Sequence, residues 1–168
     1  GVHDLVVKRA GTKKPGISAA AESLGDRGWL AQEDLLVATR DGGVVQFSCA
    51  QRTVTWQAPV GHTDTVFDAA FCPDDATILA TCSFDSFVRL WSAEDYSCVD
   101  SFKLSAPGPN PVCLYTLAWA PGGDGRIATA DNNGNAFVVN TRTGAIRSFM
   151  GLHPAPVLRL AWSGLRPS

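Results

Sequence analysis

Gly61-His62-Thr63-Asp64-Thr65-Val66-Phe67-Asp68-Ala69-Ala70-Phe71-Cys72-Pro73-Asp74-Asp75 leads, two residues later, into Ile78-Leu79-Ala80-Thr81-Cys82-Ser83-Phe84-Asp85-Ser86-Phe87-Val88-Arg89-Leu90-Trp91-Ser92. A Gly-His opening precedes a short apolar run closed by a Pro-Asp turn. A second run ends in Ser-x-Asp, and a third ends in Trp. Runs of this length bounded by turn residues read as strands rather than helices. The same pattern recurs on both sides. A shift of 48 residues forward carries Leu79-Ala80-Thr81 onto Ile127-Ala128-Thr129, Asp85 onto Asn133 and Trp91-Ser92 onto Val139-Asn140. A shift of 44 back carries Ser83 onto Thr39, Asp85 onto Asp41 and Trp91-Ser92 onto Phe47-Ser48. His153 stands 91 residues beyond His62, room for two repeats of about 45 residues, the period of a propeller blade.

The stretch resembles one complete repeat of the WD-repeat family, and the resemblance implies an all-β fold of four-stranded blades. In such repeats the opening His, a strand hydroxyl, the turn Asp and the third-strand Trp form a hydrogen-bonded tetrad. Here that set is His62, Ser83, Asp85 and Trp91. Several runs are similar to one branch of the family, that of WD repeat-containing protein seventeen. They are Thr81-Cys82-Ser83-Phe84-Asp85, Leu117-Ala118-Trp119-Ala120-Pro121-Gly122-Gly123 and Leu160-Ala161-Trp162-Ser163, with the Gly61-His62 run and the Asp41-Gly42-Gly43-Val44 turn. That branch has tandem propellers, so the resemblance implies a large intracellular scaffold, cytoplasmic and in the setting of a cilium or the cytoskeleton.

The repeat arithmetic divides the chain into four parts. Residues 1–57 form a first blade interrupted by a basic loop over 8–33, and 58–104 form the second and most complete blade. Residues 105–150 form a third, and 151–168 begin a fourth with an inner strand over 156–163. The expected architecture is therefore three blades plus the first strand of a fourth, a slice of a larger propeller. The inserted loop carries Lys8, Arg9, Lys13 and Lys14, which suit it to tether an acidic partner.

Composition excludes other classes. A chain of 168 residues, 45% hydrophobic and 18% charged, is globular and long enough for a real core. Its formal charge of −2 gives no general attraction to nucleic acid or anionic lipid. No apolar run approaches the roughly 18 residues of a membrane span, so no membrane insertion is expected. The five cysteines form no C-x-x-C pair and read as reduced thiols. His3, His62 and His153 have no metal-ligand spacing, and no glycine-rich phosphate loop is present, so neither metal nor cofactor is expected.

His62, Ser83 and Asp85 are also the ingredients of a hydrolase triad. Ser83 lies on a regular strand end rather than a nucleophile elbow, and nothing in the sequence suggests an oxyanion hole. A structural set is the expectation, and no catalytic residue is assigned. Binding is expected at the turns between second and third strands, where side chains have no packing duty. The equivalent turn positions are Arg40, Phe84 and Asn132. Together with Lys13 and Lys14 they are the candidate contacts for protein partners within a multi-subunit complex. The function that follows is a non-enzymatic interaction scaffold, with a peptide-recognition adaptor such as a ubiquitin-ligase receptor as the alternative.

Overall fold

The computed structural model describes residues 5–8, 34–57, 61–95 and 97–163. Its strands are β1 (Leu5–Lys8), β2 (Asp34–Ala38), β3 (Val44–Ser48), β4 (Thr53–Gln57), β5 (Val66–Phe71), β6 (Ile78–Ser83), β7 (Phe87–Ser92), β8 (Cys98–Lys103), β9 (Leu114–Trp119), β10 (Arg126–Asp131), β11 (Ala136–Asn140) and β12 (Ile146–Phe149). They form three four-stranded sheets, β1 to β4, β5 to β8 and β9 to β12, each in chain order with antiparallel pairing throughout. The described residues are all-β, and their sheets stand as three blades of a partial propeller. The innermost strands of successive blades lie side by side, β1 against β5 and β5 against β9.

Alternation within each blade decides which neighbour a side chain meets. In β7, Val88 and Leu90 face the third blade and are buried there with Phe102, Leu117, Ile127, Phe137 and Val139. Trp91, on the opposite face, packs with Leu79 and with Val44 of the first blade. The cores therefore lie between sheets rather than within them. Three directed bonds reinforce the larger one. The Asp68 carboxylate in β5 accepts from the Leu117 amide (2.9 Å) and the Thr116 hydroxyl (3.2 Å) in β9, and the Trp119 indole donates to the Ala70 carbonyl (3.0 Å).

Two boundaries differ from the sequence reading. Lys8, expected to open the basic loop, closes strand β1. The loop itself, Lys13 and Lys14 included, lies outside the described residues. Residues 156–163, expected as the inner strand of a fourth blade, carry no strand pairing, because no described residue lies opposite them to complete a ladder. They nevertheless dock as an inner strand does. The Val157 amide donates to Asp131 O (3.1 Å) as the Val66 amide does to Thr39 O (3.4 Å), and the Trp162 indole reaches Ala118 O (3.0 Å) as Trp119 reaches Ala70.

Candidate functional site

The first candidate set lies where the opening of the second blade meets the turn between β6 and β7. His62 sits between β6 and that turn, its side chain fully buried, and Asp85, 4% exposed, closes over it. His62 Nδ1 lies 2.9 and 3.0 Å from the two Asp85 carboxylate oxygens, and its Nε2 lies 2.7 Å from Thr81 Oγ1. The Trp91 indole donates to the same Thr81 oxygen at 2.9 Å. Donors and acceptors fit together in one direction only: Trp91 donates to Thr81, Thr81 to His62, and His62 to the Asp85 anion.

The hydroxyl of this tetrad is thus Thr81 rather than Ser83, a correction to the sequence reading. Both lie on one face of β6, two residues apart. The indole of Trp91, which pairs across from Leu79, reaches the nearer of them, diagonal to it. Ser83 instead donates to Asp64 O (3.0 Å) and accepts from the Asp85 amide (3.1 Å), which ties the opening loop to the turn. No His62 to Ser83 bond exists to make a nucleophile.

Electrostatics agree with a structural role. Burial pushes His62 below its usual pKa against the pull of Asp85, so the ring is neutral at pH 7. Burial raises the Asp85 carboxyl, but the His62 hydrogen bond and charge and the amides of Thr63 and Phe87 outweigh it, leaving it at about 2. Among the described residues no group of three or more His, Cys, Asp or Glu side chains is placed to hold a metal ion. Among the described residues no helix is long and apolar enough to cross a membrane.

The other blades replace the tetrad with local bonds. In the first, Thr39 donates to Asp41 and accepts from the Gly43 amide (3.0 Å). In the third, buried Asp131 accepts from the Asn133 and Asn135 amides (2.9 and 2.8 Å) and from the Asn135 side chain (2.8 Å). Where Asp85 accepts from the Thr63 amide (3.0 Å), its counterpart Asn133 donates to Pro111 O (3.1 Å). A proline has no N–H to give, and an asparagine inverts the bond.

The three turn candidates diverge. Arg40 is exposed. Asn132 is held by Cys113, just ahead of the inner strand β9 of its own blade: its Oδ1 accepts from the Cys113 amide (2.9 Å) and its own amide donates to Cys113 O (3.0 Å). Phe84 is half-buried and stacks on Phe67 (centroids 4.3 Å apart), and Tyr115 meets both rings edge-on at 4.8 and 5.0 Å. Phe67 and Tyr115 escaped the sequence reading, although the 48-residue shift superposes them. Leu158, a further 43 residues on, takes the same place, and with Phe67, Asp68, Tyr115 and Arg159 it lines a cavity of about 270 Å³ at the inner edge of the blades.

Comparison with known proteins agrees with this architecture. The family described as "WD domain, G-beta repeat" matches residues 52–92. Coronin-7 of Homo sapiens is 32% identical over 84 residues, 50% of this chain and 8% of that protein. Protein transport protein sec31 of Schizosaccharomyces pombe is 24% identical over 134 residues, 76% of this chain and 10% of its own. Denticleless protein homolog of Gallus gallus is 49% identical over 37 residues, 22% of this chain and 5% of that one. The chain spans a tenth or less of the length of each of these relatives.

Proposed function

We propose that this chain is a non-enzymatic protein-interaction scaffold whose partners bind the face carrying the β6–β7 turn and the neighbouring inner strands. The observation that carries the reading is the Phe67, Phe84 and Tyr115 cluster. Aromatic rings held rigid by one another and still partly exposed are the side chains that dominate protein interfaces. WD repeats are, as a rule, interaction modules without catalytic activity, and the engaged Ser83 hydroxyl fits that rule. Arg40 belongs to the polar rim of this face, and Asn132 serves to hold it in place. Lys13 and Lys14 remain candidates for an acidic partner on the strength of their charge.

The adaptor alternative, recognition of a linear peptide, is favoured by one observation, the cavity beside the aromatic cluster. Placement in the branch of WD repeat-containing protein seventeen, in a multi-subunit assembly and at a cilium or the cytoskeleton is proposed from the resemblance of the quoted runs alone. The free thiols of all five cysteines support a reducing, cytoplasmic setting.

Affinity capture with quantitative mass spectrometry, comparing the wild type with a Phe84→Ala, Arg40→Glu variant, tests the face. Partners should fall at least about fivefold in the variant, and its melting temperature should stay within a few degrees. An unchanged partner set from a folded variant rules the face out.

A further inference from the structure

We propose that the cavity beside the aromatic cluster takes an acidic side chain of a peptide whose neighbouring apolar side chain lies on the Phe67, Phe84 and Tyr115 rings. The inference deepens the interaction reading and rests on it.

Two charged residues line the cavity, and hydrogen bonding distinguishes them. Asp68 is already engaged. One of its oxygens accepts from the Ala69 amide (3.0 Å), and the other accepts from the Leu117 amide and the Thr116 hydroxyl. Its bonds hold the second and third blades together and leave little capacity for a cationic ligand. Arg159 is the opposite case. It is exposed at the rim, and among the described residues no acidic side chain pairs with it. The free charge is therefore a guanidinium, whose planar fork matches a carboxylate or a phosphate.

Size and surroundings narrow the ligand further. A space of about 270 Å³ lies below the roughly 300–1,000 Å³ of pockets that enclose a whole small molecule, and it suits one or two side chains of a longer ligand. Phe67, Tyr115 and Leu158, the last 63% exposed, supply the apolar part of its lining beside the two charged residues. A single-stranded nucleic acid would also stack on the rings. It would, however, bring a phosphate with every nucleotide to a chain of net charge −2 with one unpaired guanidinium at this site.

Fluorescence anisotropy on the full protein tests this with labelled peptide pools of about twelve residues, random except for a central Phe-Glu, Phe-Gln, Phe-Lys or Phe-phosphoserine pair. The Phe-Glu or Phe-phosphoserine pool should bind about tenfold more tightly than Phe-Lys, and whichever of the two is tighter identifies the anion. Arg159→Gln should bring all pools to within about twofold of one another, and Arg159→Lys should keep part of the preference. Melting curves confirm that each variant folds. A wild type without acidic preference overturns the inference, as does a preference that survives Arg159→Gln, or tighter binding of a mixed-sequence single-stranded RNA. If the pools bind without charge preference and Phe84→Ala weakens them all, the interaction face stands and the acidic specificity falls. If no pool binds and partner capture is indifferent to Phe84→Ala, both fall.

Discussion

Thr81 has two obligations in a space closed to water: it accepts from Trp91 and donates to His62. Valine of nearly the same shape would leave the indole N–H and the imidazole Nε2 unpartnered, each costing about 1–3 kcal/mol. Ser83 bonds only to backbone groups, the carbonyl of exposed Asp64 and the amide of Asp85, and water can replace it at the first of these. Thr81→Val should therefore lower unfolding free energy by about 3 kcal/mol and Ser83→Ala by about 1, as measured by urea denaturation; equal losses would return the tetrad to Ser83. The same residues set a pH dependence. His62 titrates below its unfolded value and Asp85 at about 2, so the unfolded chain binds more protons on the acid side. Stability should fall as pH drops below about 6.5, and again between about 4 and 2 where Asp85 gives up on the order of 2 kcal/mol. In His62→Gln the first of these losses should disappear from melts between pH 7 and 5. His62, Asp85 and Trp91 were legible in the sequence because each residue type has one role in this repeat. The choice between two hydroxyls on one strand face was not, since it depends on how far an indole reaches across two paired strands.

Elements meet their neighbours through turns, and the third position of the β2–β3, β6–β7 and β10–β11 turns shows how. The residues there are Gly42, Ser86 and Gly134, all with positive φ. A Cβ on Gly42 would lie 2.0 Å from the His62 carbonyl oxygen, and one on Gly134 would lie 1.7 Å from that of His153. The second blade tolerates Ser86 because a different opening follows it. Residues 110–112 hold no Gly-His, and the Ser86 hydroxyl donates to Val112 O at 2.7 Å. Gly144 has nearly the same φ as Gly134, with nothing within 4 Å of its would-be Cβ. Gly144→Ala should thus cost only backbone strain, about 1 kcal/mol. Gly134→Ala should cost at least about 2 kcal/mol more and free residues 151–157 to exchange amide hydrogens, since the His153 and Val157 amides bond to Gly134 and Asp131. Equal losses in the two variants would refute the packing account. The strands themselves were legible from alternation and turn residues. The fourth inner strand was legible as a docking segment and not as a ladder, because alternation reports the face a residue buries and not the partner it pairs with.

At the scale of the whole molecule, cores lie between blades, and the ends of the array differ from its middle. Phe102, covered by the third sheet, is 6% exposed, and Phe149 at the corresponding place one blade on is 45% exposed. That exposed residue belongs to the outer strand β12, whereas the aromatic cluster and Arg159 belong to inner strands, a turn and the segment 156–163. Phe84 was legible as a turn aromatic, whereas its partners Phe67 and Tyr115 were hidden because they lie on two inner strands, where each one alone reads as core. Hydrogen–deuterium exchange of the protein, free and within the assembly purified from its own cells, tests directly whether that turn face is where partners bind. The account predicts slowed exchange at 84–86, 112–116 and 158–160, with β4, β8 and β12 unchanged. Protection along those outer strands with an unaltered turn face would contradict it.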